Sequence, residues 1–463
     1  MKILQLLPFW LLAYVFLLPS HSWALPSFQR PLKDQEIDLT AQGVSYLGRP
    51  NTQISDQKTG KVGAKVGARF SLDPEANFLG AIEGEGLYGL GNSNYRYLDI
   101  SEGFLGWNFG TTKVYLGRKK FTWNAMDEYW PLGLFQPRFR WDYLNERQEG
   151  LFGAFLNFKP NDYLEVTAYG SPIFIPESGA PFQMANGQCT SNSPWFYCPS
   201  STLMLFNQPT SLQFNLAVPS IASIISHPGY GTSVRLGKLE NTYVRLSWVH
   251  KPMNQLVLGY EGQLDTSTLT LPATIHPRVL YHYAYAADLG TTIARSQLVA
   301  SFIAERPIRD YTPPTWNTQE VSNANLVGVT WKNPVFWDSE GKTRYEVSYF
   351  HREGGVSPDR GPFVPQGTSI FEPRYGFRNA YNFAFFTPLV NSWSDTFQLS
   401  TRFVWDTVYN GNVLIVDAFV SPWKQVRLDL GLDLLGSDNH TRADFISRYQ
   451  TNDRIRGSAT YVF

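Results

Sequence analysis

The chain has 463 residues with 39 basic and 39 acidic side chains, so neither a nucleic-acid surface nor an acidic tail is indicated. Aromatics make up 15% of it and charged residues only 17%, and no apolar run beyond the N-terminal segment is long enough for a membrane helix. That composition suits a barrel whose strands need only every second residue apolar. It suits a large secreted β-rich enzyme equally well.

Residues 1–24 read as a secretory signal peptide. Lys2 supplies the basic start, Ile3 to Leu18 the apolar stretch, and Ser22-Trp23-Ala24 the small-x-small end. A membrane-anchoring helix is the weaker reading, because the run is short and carries Pro8 and Pro19. Residues 25–60 form an N-terminal extension with one candidate strand at 37–47, and 61–463 are assigned to a single β domain. Gly84-Glu85-Gly86-Leu87-Tyr88-Gly89 spells a dinucleotide fingerprint. It lies in a glycine-rich β segment without the helix that would hold pyrophosphate, so no nucleotide site follows.

Alternation of apolar and polar residues is the repeating signal. Leu164 and Val166 oppose Glu165 and Thr167; Val244, Leu246 and Trp248 oppose Arg245 and Ser247; Leu256, Leu258, Tyr260 and Leu264 oppose Glu261 and Gln263. Tyr281, Tyr283 and Tyr285 oppose Arg278 and His282, Leu298 and Phe302 oppose Arg295 and Ser301, and Tyr345, Val347 and Tyr349 oppose Arg344 and Glu346. Phe403 and Trp405 oppose Arg402 and Asp406, and Leu428, Leu430, Leu432 and Leu434 oppose Arg427, Asp429 and Asp433. A period of two means strands. Connections near 159–162, 251–254, 288–291 and 421–424 read as tight turns of one end; 119–149, 171–208, 305–325, 351–378 and 437–452 read as long loops of the other. Trp248 and Trp331 are expected near the short-turn end and Trp405 near the long-loop end, as interfacial girdles.

The close pair Cys189 and Cys198, in an exported chain without accompanying histidines, reads as a loop-stapling disulfide. No HExxH, CxxC or GxSxG occurs, and His250, His276, His282, His351 and His440 have no sequence partner. No catalytic residue, metal site or cofactor is assigned.

The chain ends Arg456-Gly457-Ser458-Ala459-Thr460-Tyr461-Val462-Phe463. A terminal Phe with an aromatic two places earlier resembles the C-terminal signal of Gram-negative outer-membrane barrels, with Tyr461 and Phe463 in the aromatic positions. The glycine usual in that signal is displaced: Ser458 stands in its place, with Gly457 just before. The resemblance implies recognition by the barrel-assembly machinery. Residues 114–124 resemble the "strand, Gly-Arg, aromatic, Trp" segment of several porins, including alginate-export and carbohydrate porins, which would place Arg118 at a constriction in contact with solute.

The expected fold is an all-β transmembrane antiparallel barrel of about 18 strands, with 16 to 20 compatible with an even count. Inward parity makes Arg245, Glu261, Arg278, His282, Arg295, Arg344, Glu346, Arg402, Arg427, Asp429 and Asp433 the candidate pore lining, and the resemblance at 114–124 adds Arg118. A barrel this wide needs water or folded-in loops in its lumen, and the loops at 119–149, 171–208 and 351–378 are candidates to fold inward. The leading expectation is a porin-like channel for small polar solutes, anions or carbohydrates, with outer-membrane lipid as surroundings and no nucleic-acid partner. The alternative is a non-conducting surface protein plugged by its loops; a barrel enzyme comes third. The sequence does not set the oligomeric state.

Overall fold

The computed structural model describes residues 35–48, 60–72, 77–90, 95–191, 193–198, 201–205, 208–335, 343–356, 359–360, 374–388, 397–438 and 444–463. The signal peptide at 1–24 and His440 lie outside the described residues, as does most of the 351–378 loop.

Eighteen strands form one sheet. In chain order they are β1 Gln35–Tyr46, β2 Gly60–Ser71, β3 Phe78–Leu90, β4 Arg96–Asn108, β5 Thr112–Lys119, β6 Leu151–Asn161, β7 Leu164–Ser171, β8 Gly229–Gly237 and β9 Thr242–Pro252. They continue as β10 Tyr281–Ile293, β11 Ser296–Pro307, β12 Ala324–Pro334, β13 Arg344–Gly354, β14 Asn379–Pro388, β15 Phe397–Asp406, β16 Gly411–Trp423, β17 Val426–Ser437 and β18 Arg454–Val462. Each strand pairs antiparallel with the next, and β1 also pairs with β18, from Asp38 opposite Val462 to Tyr46 opposite Arg454. The sheet therefore closes. Closure leaves no row of unpaired N–H and C=O groups, which is the condition for crossing lipid with strands.

Alternation sets the two faces. In β17, Leu428 and Leu430 are exposed while Gly431, Asp433 and Leu435 are buried. In β9, Val244 and Leu246 are exposed while Arg245, Ser247 and Val249 are buried. A water-soluble sandwich would bury the leucines and expose the charges; here the order is reversed. The chain is thus a multi-pass outer-membrane β-barrel with an apolar outer band and a polar inner face.

Connections at the chain-terminal end are short, for example residues 109–111, 162–163, 238–241, 294–295 and 424–425. Connections at the other end are mostly long: 120–150, 172–228, 253–280, 308–323, 355–378 and 438–453, with 91–95 and 407–410 short. The long-loop end faces outward from the cell.

Three expectations are corrected. Residues 251–254 are not a short-end turn, because β9 reaches the external end at Pro252, and this puts Trp248 near the external rim. The turn expected at 288–291 lies at 294–295, where Ala294 takes φ +55°. The segment around 256–264 is not wall. Val257–Gly262 belongs to a separate six-stranded sheet with Thr202–Leu205, Gln208–Leu216, Thr270–Arg278, Asn317–Gln319 and Asp359–Arg360. In it, Gln208–Leu216 and Thr270–Arg278 run parallel. All six segments come from external connections, so this sheet stands at the external end.

Candidate functional site: the bore and its inserted loops

The long connection after β5 enters the bore. Asn124 Oδ1 accepts from the Asp127 N–H at 2.9 Å and Asp127 Oδ1 from the Leu132 N–H at 3.3 Å, shaping a single helical turn, α1 Met126–Tyr129. This turn reaches the far wall. The Ala125 N–H donates to Asp288 on β10 at 2.8 Å, and Lys332 on β12 pairs with Glu128 at 3.0 Å. Arg402 on β15 donates to the Tyr129 carbonyl at 3.0 Å, and Ser247 on β9 donates to the Trp123 carbonyl.

Apolar contacts reinforce these bonds. Trp123, Met126, Trp130, Leu134 and Phe135 are buried in one cluster with the inward residues Val249, Ala284, Ile303, Leu326, Phe350, Val404 and Val413. Half of the inner wall is therefore built to hold protein, not water. Gly328 on β12 shows the fit: a Cβ added there would stand 3.0 Å from Met126 Cε.

Beyond this packed part the loop forms a hairpin across the bore. Arg138–Arg140 pairs antiparallel with Arg147–Gln148 and parallel with Ser178–Gly179. Ion pairs fix it on both sides. Arg140 reaches Glu146 at 3.4 Å and Glu177 at 3.2 Å; Arg147 reaches Glu85 at 2.5 Å and Asp99 at 3.2 Å. Asp142 accepts from both Arg454 Nη atoms, at 2.6 and 3.0 Å. Burial opposes ionisation of Asp142, but the Arg454 guanidinium overrides it and holds the carboxyl below its ordinary value. For Glu146 burial prevails over Arg140 and raises the value.

A second insert comes from the connection after β7. Cys189 and Cys198 are disulfide-bonded. The finger they close buries Trp195, whose ring lies 5.1 Å from the Arg454 guanidinium carbon. Tyr449, in the short helix α2 Phe445–Tyr449, donates to the Trp195 carbonyl at 3.0 Å, and Asn452 donates to that of Pro194 at 2.8 Å. Asp444 and Ser447 cap α2 reciprocally.

The hairpin leaves a cavity on either side. One of 220 Å³ is lined by Arg138, Arg140, Arg374 and Arg402, with Glu128, Glu146 and the rings of Trp130, Tyr143, Phe377 and Tyr449 around them. The other, of 470 Å³, runs from the short-turn end along β16–β18 and β1–β3, past Asp38, Lys65, Glu85, Asp417, Arg427, Asp429 and Arg456. Phe139, Trp141, Asp142 and Arg147 close it above. Alternation explains the division: Arg138 and Arg140 project into the smaller space, Phe139 and Trp141 into the larger. A single layer of chain separates them.

The structure spreads the expected lining residues widely. Arg402, Arg427 and Asp429 border the two cavities. Arg344 and Glu346 face inward, with Arg344 over the Phe386 ring at 4.9 Å. Arg245 and Asp433 face inward and are buried against partners, Asp288 at 3.9 Å for Arg245 and both Arg454 and Arg456 for Asp433. His282 is fully buried, its Nδ1 2.5 Å from Glu305, which also binds Arg374 and accepts from Tyr375.

Four placements differ from expectation. Glu261 and Arg278 lie on the external sheet, where Glu261 meets His276 and Trp316, and Arg278 meets Asp310 at 2.8 Å. Arg295 sits in the exposed turn between β10 and β11. Arg118 pairs across from Gly103 and Phe152, on the outward register, and its guanidinium is taken up by the Ile100 and Gly150 carbonyls and Glu149. It is the next residue, Lys119, that projects inward, 3.6 Å from the Phe104 ring centre. The loop arginines Arg138, Arg140 and Arg374, and Arg456 on β18, were not among the expected lining. Arg138-Phe139-Arg140-Trp141 carries the same period-two pattern as the wall, and that was the available signal.

No family model matches this chain, and no curated protein matches it. Among solved structures it is similar to Acinetobacter baumannii OccAB1, at 10% identity and a TM-score of 0.47 over 93% of this chain and 96% of that one. It is similar also to Pseudomonas aeruginosa OccK3 (OpdO), at 10% identity and 0.48 over 93% and 95%. A third is Pseudomonas aeruginosa OpdK with vanillate, at 10% and 0.45 over 93% and 98%. The fold assignment rests on the strand ladder itself.

Proposed function

We propose that the barrel is a narrowed outer-membrane channel for small polar solutes, with a mild preference for anions or carbohydrates at its narrowest part. The partitioned bore carries this reading. A hairpin one layer thick separates two cavities, and the smaller is lined by four arginines, Asp127, Glu128 and Glu146 among aromatic rings. Charged rings set ion preference in pores, and flat rings give sugars a stacking surface. Arginines outnumber carboxylates by one in the smaller cavity and carboxylates outnumber bases by one in the larger, so we assign the anion preference to the smaller one. Arg344, Glu346, Arg402, Arg427 and Asp429 act as lining in this reading. The C-terminal strand, with Tyr461 and Phe463 on its outer face, is the segment offered to the assembly machinery.

A second reading, a barrel closed by its loops, has its own support in the apolar packing of Trp123, Trp130, Leu134 and Phe135 against half the wall. Single-channel conductance in a planar bilayer under a salt gradient separates the two. Stable steps with an anion-selective reversal potential support the channel. Silence from correctly folded, heat-modifiable protein transfers the weight to the closed barrel.

A further inference from the structure

No Asp, Glu, Lys or Arg occurs between Glu177 and Arg235. This charge-free stretch makes up nearly all of the external connection before β8, although exposed loops normally rely on charges for solubility. Its last part leaves the external sheet at Ala217, whose N–H donates to the Ile275 carbonyl at 2.9 Å, and forms a one-turn helix, Ile221–Ile225. Ser220 caps that helix by accepting from the Ser223 N–H at 3.1 Å. So short a helix has little stability of its own, yet it exposes apolar side chains: Val218 is 79% and Ile221 77% exposed.

The segment is tied to the outside of the wall. The Phe174 N–H donates to the Ile225 carbonyl at 2.8 Å, and the His227 ring meets the edge of Tyr281 at 5.7 Å. Tyr281 points outward, since its neighbour His282 is the buried, inward residue of β10. From Tyr281 an unbroken run of outward rings follows: His250 at 5.3 Å, then Tyr230 at 5.1 Å, then Trp248 at 5.5 Å. These rings continue downward into exposed Leu246 and Leu289, the apolar band of the wall. Aromatic rings at the rim of an apolar band mark the headgroup level.

We infer that residues 217–228 form an anchor in the outer leaflet, with Val218 and Ile221 inserted among lipid chains beside the rings of β8–β10. Three features point to lipid: the missing charge, the apolar exposure and the continuity with the lipid-facing wall. The anchor fixes the external sheet, through Ala217, and the disulfide-closed finger to one side of the barrel mouth. It supplies a lateral footing that the strands alone do not.

The natural cysteines are bonded to each other, so single cysteines introduced as Ile221→Cys and Val218→Cys can be spin-labelled without reductant. The full chain is placed in phospholipid vesicles bearing lipopolysaccharide, and label collisions with oxygen and with a nickel chelate are compared. Leu246→Cys on the wall serves as the lipid reference and Thr266→Cys on the external sheet as the water reference. Both segment labels are expected to favour oxygen, as Leu246→Cys does. Labels as open to nickel as Thr266→Cys would overturn the anchor. Labels shielded from both reagents would overturn it too, by showing that a protein partner or a second copy covers the segment.

Discussion

Asp142 and Arg454 join the partition to the wall through two hydrogen bonds carrying full charge, a geometry stronger than neutral bonding. Because the Asp142 carboxyl is held below its ordinary value, its contribution is complete above the unfolded pKa, about 3.9, and is lost as pH falls through the lowered folded value. This tie should therefore hold from neutrality down to about pH 4, and its loss should loosen the hairpin to proteolysis in stronger acid, at a lower pH than that at which Glu146, whose value is raised, takes up its proton. Asp142→Asn should show the loosened state already at neutral pH and lose the acid step. An acid step of full size in that variant would assign it to another carboxylate. Gly328 offers a steric test of the same insertion. Gly328→Val drives side-chain atoms into Met126 and should cost about 1–3 kcal/mol, as overpacking does. Adding Met126→Ala should recover part of that loss, because contacting residues couple. Strict additivity of the two changes in a denaturation midpoint would mean that Met126 does not pack there.

At the scale of the element, β17 shows why the wall was readable from sequence. Leu428, Leu430, Leu432 and Leu434 alternate with Arg427, Asp429, Gly431 and Asp433, as a strand with one face in lipid and one in the bore requires. Leu430→Arg should destabilise the barrel by roughly 2–4 kcal/mol, the cost of an arginine on the lipid face near mid-membrane. An unchanged unfolding midpoint would deny that this face meets lipid. The same alternation misled where strands left the wall. Val257–Gly262 alternates as β17 does, so Glu261 passed for lining, and Arg278 passed for it as the start of the alternation that runs on through Tyr281, Tyr283 and Tyr285. Nothing local distinguishes a strand in an external sheet from one in the barrel, since only the partner differs. Arg118 rested on the porin-like segment and not on alternation, and the register of β5 puts it outward with Leu116. It sits at the end of β5 after Gly117, where φ is +124°, and the adjacent Lys119 is the one that enters. The inward course of the 119–149 loop was legible as a candidate, but its ion-pair partners were not, because they join residues as far apart as Asp142 and Arg454.

Taken as a whole, the molecule separates a wall that holds itself from a lumen that is furnished. The eighteen-strand ladder closes through β1 and β18 and uses no loop residue to do so. The inserted loop, in contrast, depends on the wall: its buried Trp130 and Phe135 share one apolar cluster with the inward residues Val249, Ala284, Ile303, Leu326, Phe350, Val404 and Val413. Replacing residues 121–148 with a short flexible linker should therefore leave a folded barrel and empty its bore. Conductance should rise several-fold, since the partition that blocks most of the cross-section is gone. The ion selectivity should change at the same time, because Arg138, Arg140 and Arg147 leave with the loop together with Asp127, Glu128, Asp142 and Glu146. Heat-modifiable migration checks that the barrel has formed before any current is interpreted. A folded variant with raised conductance but unchanged selectivity would move the selective element to the wall arginines. A folded variant that stays silent would point to the Cys189–Cys198 finger as a second closure, which the same recording after reduction of the disulfide would detect.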